Sequence, residues 1–253
     1  MVMGREPVFD VLTGLVRTFF GLQGLRIDIG GQDHIPRTGG AVLAVNHTAY
    51  LDFMEVGLVG RKSGRNVRYM MKAELEHGIV GWLMKHCKAI GVDRSAGARS
   101  YSRAVAALRA GEIVVVYPEA TISRSFELKE FKSGAARMAI EAGVPIIPMT
   151  IWGAHRIWTK DLPKQLGRHR FPIHIRIGAA IPSTASADDL TAELRVAMTD
   201  LLTLAQEGYE MPAGARWVPA RLGGTAPTPD QATVLDQEEL ARRRAAAERR
   251  AAR

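Results

Sequence analysis

Three uncharged runs, Ala41 to Val45, Ile113 to Tyr117 and Val144 to Ile151, constrain this chain more than any other feature. Each is too short for a buried helix, is bounded by glycine or proline, and shows no polar alternation, which is the pattern of a strand covered on both faces. Between the runs lie stretches of helical character. Leu51, Phe53, Met54, Val56 and Leu58 follow the first run, Ser100 to Ala110 ends at Gly111, and Ser133 to Ala142 ends at Gly143, both glycines standing where a left-handed cap is expected. Alternating strands and helices imply an α/β fold with a mainly parallel sheet flanked by helices.

The flanking segments fit this plan. Leu25 to Ile29 alternates apolar and polar, as a half-buried edge strand does, and Phe171 to Ile177 alternates in the same way. A second strand is expected around Val67 to Met71, a helix over Ile79 to Lys88, and a short strand over Ala89 to Val92. Ser186 with Asp189 forms a capping box that opens a helix through about Gln206. The reading divides the chain into an apolar N-terminal helix within 1–27, a core domain over 28–211, and a tail rich in Pro, Gly, Ala and Arg over 212–253. The tail's end, Glu238 to Arg253, reads as a solvated helix or a disordered segment.

Composition limits the partners. The net charge is +8, so an acidic partner is expected: nucleic acid, anionic lipid or a phosphorylated small molecule. Aromatic residues are only 6% of the chain, and neither zinc-finger spacing nor a basic recognition helix is visible, which argues against nucleic acid. The single cysteine, Cys87, excludes an intramolecular disulfide, suits a reducing cytoplasm and reads as core filling. No apolar stretch reaches the roughly 18 to 20 residues of a spanning helix. The segment Pro7 to Gly24 has a wide apolar face and little charge, however, and fits either core packing or the surface of an anionic membrane. A peripheral location on the cytoplasmic face of the membrane is the resulting expectation.

Chemistry-bearing residues collect at strand exits, where open α/β sheets bind ligands. Asn46 and His47 leave the first run, and Asp52 follows five residues after His47. On a continuous helix that step rotates a side chain by roughly 140°, so the two can meet only if His47 precedes the helix and Asp52 opens it. A histidine beside a carboxylate in such a place is a general base with its orienting acid. Lys72, Asp93 with Arg94, and the stretch Glu119 to Arg124 stand at further exits. Together they describe a pocket for an anionic substrate that gives up a proton. Phosphate-binding loops, dinucleotide fingerprints, nucleophile elbows and zinc-binding helix motifs are absent, and the seven histidines are scattered, so no metal is expected.

Taken in order, Asn46-His47-x4-Asp52, Val92-Asp93-Arg94, Tyr117-Pro118-Glu119-Ala120-Thr121 and Val144-Pro145-Ile146-Ile147-Pro148 resemble the four motifs of the glycerolipid acyltransferases, and most closely those of the 1-acylglycerol-3-phosphate acyltransferases. Phe131-Lys132-Ser133-Gly134-Ala135 adds a match between the third and fourth. The resemblance covers about residues 30 to 180. It implies an enzyme of phospholipid synthesis that passes an acyl chain from coenzyme A or acyl carrier protein to a lysophospholipid hydroxyl, without a cofactor. His47 and Asp52 would be catalytic; Asn46, Lys72, Arg94, Glu119, Thr121 and Arg124 would bind substrate. Where the family's third motif usually reads Pro-Glu-Gly-Thr-Arg-Ser, this chain has Ala120 and Ile122, with Arg124 two residues on to take over the phosphate contact. The same change would also fit another acceptor, such as a different lysophospholipid, a glycolipid or glycerol 3-phosphate. A non-catalytic lipid-binding module on the same fold is the alternative from another class.

Overall fold

The computed structural model describes residues 6–72, 77–92 and 97–251. Its centre is a seven-stranded sheet of β1 (Arg26–Gly30), β2 (Ala41–Val45), β3 (Val67–Lys72), β4 (Ile90–Val92), β5 (Ile113–Val116), β6 (Ile146–Trp152) and β7 (Pro172–Ile177), in the order β1-β7-β6-β2-β5-β3-β4. Every neighbouring pair is parallel except β6 with β7, so the expected mainly parallel sheet is present. β2 lies near the middle, between β6 and β5, and all five of its residues are buried. The alternating segment β7 buries every second residue, while β1, at the sheet's edge, is only half covered.

The helices are α1 (Pro7–Gln23), α2 (Asp52–Lys62), α3 (Gly78–His86), α4 (Gly97–Arg109), α5 (Gly134–Ala142), α6 (Ala187–Gln206) and α7 (Pro229–Ala251). Two apolar clusters line the two sides of the sheet. Leu43, Val45, Val56, Val59, Met149 and Ile151 belong to one, and Val42, Ala44, Leu108, Met138 and Leu194 to the other. The split follows from strand geometry, since successive residues of β2 point to opposite faces. At about 25 cal/mol per Å² of apolar area removed from water, this double burial is the main favourable term for the fold. The capping box forms as expected, with the Asp189 amide donating to Ser186 Oγ at 3.2 Å.

Two parts of the basic excess are structural. Arg65, buried, donates to the carbonyls of Pro36, Gly39 and Gly111 at 2.7, 2.9 and 2.6 Å and ties three loops together at the strand-entry end. Arg68 is clamped between Glu6 and Glu112. Cys87, half-buried after α3, has its thiol pushed up by burial, as suits packing. The end of the chain is a mostly exposed helix, with contacts that the sequence reading did not include. Residues 212–228 contribute Val218 and Ala226 to the buried interior, and the final helix starts at Pro229, nine residues before the expected stretch, and docks on the core. Its anchors are charged, so an apolar-periodicity reading could not find them.

Candidate active site

β2 ends at Val45, and the chain then makes a six-residue turn into α2, which opens at Asp52. That break in helical geometry brings His47 Nδ1 to 3.0 Å from Asp52 Oδ2. Asp52 is fully buried, and the same Oδ2 accepts the amides of Thr48 and Ala49, each at 2.9 Å. These bonds close a turn around the carboxylate, and the first turn of a helix is where the dipole favours negative charge. With Nδ1 donating to Asp52, the His47 proton sits on that nitrogen, and Nε2 is left as the basic edge. Nε2 has no hydrogen-bond partner among the described residues, and the His47 side chain is 23% exposed. The Tyr117 ring stacks on His47 with centroids 4.3 Å apart. Burial, followed by the Asp52 charge, pushes the Tyr117 phenol well up, so it stands there neutral.

Two of the expected substrate contacts are braced to the fold. Asn46 is buried, its side chain donating to the Ile151 carbonyl at 3.1 Å and accepting the Ile151 amide at 2.7 Å. It locks β2 to β6 where the sheet hands the chain to the site. Glu119 is also buried, and its two oxygens accept the amides of His47 at 2.8 Å and Lys129 at 3.0 Å. Burial raises its carboxyl to about 7, against the pull of those two amides toward the charged form. Both residues fix the peptide that carries His47, and their place at the ends of adjacent strands is all the sequence could show.

The loop after β5 departs from the family pattern at two positions. Ala120 stands at φ 61°, where the usual glycine is free of strain, and Ile122 is buried. Replacing Ala120 with glycine should therefore stabilise the fold by about 1 kcal/mol, since the left-handed conformation costs an L-residue roughly 1–2 kcal/mol and glycine's extra unfolded freedom returns part of it. Urea denaturation of the variant would measure this, and a lower midpoint would contradict it.

Thr121 is exposed and accepts a 2.7 Å bond from Lys129 Nζ. Arg124 has no free nitrogen: Nε donates to Asp161 at 2.5 Å, Nη2 to Glu239 at 2.9 Å, and Nη1 pairs with Asp236. Lys72 ends β3, but its side chain, like all of Arg94, lies outside the described residues. Sequence reasoning missed Tyr117, Lys129, Lys160 and the two acids of α7. Tyr117 alone carried a signal, being the residue that leaves β5 beside the exit of β2. A buried carboxylic acid one turn beyond Asp52, Glu55, is also new; burial and then the neighbouring Asp52 charge raise it well above the ordinary carboxylate range. Among the described residues no three His, Cys, Asp or Glu side chains gather as a metal-ligand set.

These positions coincide with a known family. A family model described as Acyltransferase matches residues 26–152, half of the chain, and this stretch contains His47, Asp52, Glu119 and Arg124. A probable 1-acyl-sn-glycerol-3-phosphate acyltransferase of Mycoplasma pneumoniae is 31% identical over 154 residues, which are 59% of this chain and 58% of that protein. A 1-acyl-sn-glycerol-3-phosphate acyltransferase of Limnanthes douglasii is 28% identical over 160 residues, 59% of this chain and 52% of its own. The chain thus spans little more than half the length of the curated relatives it matches. The crystal structure of the 1-acyl-sn-glycerophosphate acyltransferase PlsC from Thermotoga maritima has the same fold, with a TM-score of 0.66 at 18% identity over 81% of both chains. With its model matched across the six strands that build and carry the site, the chain belongs to the acyltransferase family.

Proposed function

We propose that the chain is an O-acyltransferase that moves a fatty acyl group from a thioester of coenzyme A or acyl carrier protein to the sn-2 hydroxyl of 1-acylglycerol 3-phosphate, giving phosphatidic acid. The observation that carries this reading is the His47–Asp52 pair, with Asp52 Oδ2 pinned by two amides and the other edge of the imidazole unpartnered among the described residues. The names of the relatives support the acceptor. In the step itself, His47 Nε2 takes the hydroxyl proton as the oxygen attacks the thioester carbon, and Asp52 stabilises the imidazolium. The tetrahedral intermediate collapses with loss of the thiolate, which takes the proton back from His47. One carbon–sulfur bond breaks and one carbon–oxygen bond forms, so the two substrates suffice and no cofactor enters.

The test is thiol release from palmitoyl-coenzyme A with lysophosphatidic acid, glycerol 3-phosphate, a neutral lysolipid or no acceptor. Release that needs lysophosphatidic acid is expected. Release only with another acceptor would keep the chemistry and overturn the substrate. Release with no acceptor would mean a hydrolase.

The enzyme would work at a membrane surface. The outward face of α1 holds Val11, Leu15 and Leu22, each more than 60% exposed, and its only exposed charge among the described residues is Arg17. α3, which touches α1, adds exposed Ile79, Val80 and Trp82. No described helix is long and apolar enough to cross a membrane. Such a face fits the headgroup boundary, with the exposed Lys85 beside it for anionic lipid. Changing Val11, Leu15 and Leu22 to serine should lower cosedimentation with anionic vesicles about tenfold or more, given roughly 0.8 kcal/mol per CH₂ withdrawn from lipid. Unchanged sedimentation would remove α1 from the interface.

A further inference from the structure

Three cations from the core meet two carboxylates from the C-terminal helix. Asp236 accepts from Lys129 Nζ at 2.5 Å and from Lys160 Nζ at 3.1 Å, and it pairs with Arg124. Glu239, on the same face three residues later, accepts from Arg124 Nη2 and Lys160 Nζ, both at 2.9 Å. Asp161 completes the cluster from the core side. With α7 in place, three positive groups of the core face three negative ones, and Arg243 of the helix itself pairs with Glu239 from outside. Without it, three positive groups would face Asp161 alone, an excess of two charges, which is what a phosphate monoester carries at neutral pH.

We propose that α7 is a lock on this anion site: Asp236 and Glu239 stand in for a phosphate dianion, and a phosphate-bearing acceptor must displace them to engage Arg124, Lys129 and Lys160. The identity of the acceptor rests on the function proposed above; the lock does not. Two further observations favour it. First, little else holds the helix. Ala232 is its one buried apolar residue among the described side chains, Leu235 is half-buried, and Val234 and Leu240 are exposed. A helix fastened by ions is released by competing ions, whereas one fastened by apolar burial is not.

Second, every cation in the cluster is wired to the peptide that carries the base. Arg124 follows Ser123, whose amide donates to the His47 carbonyl at 2.8 Å. Lys160 follows Thr159, whose hydroxyl donates to the Thr48 carbonyl at 2.6 Å. The Lys129 amide donates to Glu119, which holds the His47 amide. An open groove of about 490 Å³ runs beside the cluster, between α7 and the strand-exit loops, and Tyr50 and Trp158 line it. The same contacts keep both α7 acids charged at neutral pH: the Lys160 hydrogen bond holds Glu239 at about 2, and at Asp236 the bonds from Lys129 and Lys160 outweigh burial. The stretch matched by the family model ends at residue 152, before Lys160 and α7.

Hydrogen exchange of the full-length protein tests it. Inorganic phosphate should speed exchange of the amides in 229–251 about fivefold or more over sodium chloride at equal ionic strength, because release of the helix opens its backbone bonds. Phosphatidylcholine vesicles carrying 1-acylglycerol 3-phosphate, run against plain phosphatidylcholine, separate a lipid headgroup from free phosphate as the source of that effect. The full-length double variant Asp236→Asn, Glu239→Gln should exchange α7 quickly without phosphate and bind phosphate about tenfold more tightly by calorimetry. The lock is overturned if neither phosphate source moves α7 exchange in the wild type, or if the folded double variant binds phosphate no more tightly. Neither readout involves acyl transfer, so a chain that releases α7 yet acylates no lysophosphatidate would lose the proposed function and keep the lock.

Discussion

Alanine at position 47 is expected to cut lysophosphatidate-dependent thiol release by about 10²–10⁴-fold, the range a positioned general base contributes, with the fold intact. The loss should appear in kcat, because the imidazole acts on the hydroxyl proton as the carbon–oxygen bond forms and is not needed to hold the acceptor. The fold survives because residue 47 is held by its backbone. Its amide donates to Glu119 and its carbonyl accepts from Ser123, and neither bond involves the side chain. What the variant gives up is one hydrogen bond to Asp52 and the stacking on Tyr117, which together are worth about 1–2 kcal/mol. A melting curve beside the assay separates the two effects. Activity within tenfold of wild type, in a variant that melts normally, would show that His47 is not the base.

The frame of this molecule could be read from the chain because its strands are of two unmistakable kinds. β2, β5 and β6 are uncharged runs and lie at the centre, while β1 and β7 alternate and lie at one side of the sheet. The His47–Asp52 pair was legible for a geometric reason, since a five-residue step works only across a helix start, and α2 starts at Asp52. Roles were less legible than places. Asn46 and Glu119 stand where sequence puts substrate contacts, but burial turns them inward, and burial depends on what packs above them. Arg124 was found as a cation near the site, but its partners Asp236 and Glu239 lie 112 and 115 residues on, in a segment whose composition reads as solvated. Ion pairs have no period, so nothing in the local pattern announces them.

Asp52 permits a sharper experiment than His47, because its two oxygens do different things. Oδ2 accepts all three bonds, from His47 Nδ1, Thr48 N and Ala49 N, while Oδ1 is buried without a partner among the described residues. Asparagine can therefore put its carbonyl oxygen where Oδ2 stands and keep all three of these hydrogen bonds, while its NH₂ takes the buried, unpartnered place of Oδ1. The Asp52→Asn variant is expected to fold, destabilised by no more than the about 1–3 kcal/mol of one stranded NH₂, yet transfer acyl groups about 10²–10⁴-fold more slowly, because nothing then balances the imidazolium as the proton moves onto His47. Asp52→Ala differs in kind. It strands two buried amides and the imidazole N–H, at about 1–3 kcal/mol for each unsatisfied group, so instability should accompany the loss of activity. If Asp52→Asn retained most of its activity, the carboxylate would be a structural clasp for the turn and the imidazolium would draw its stabilisation from elsewhere. If it fell as far as His47→Ala while still folded, charge and base would be acting as one unit, as residues sharing a single proton transfer should.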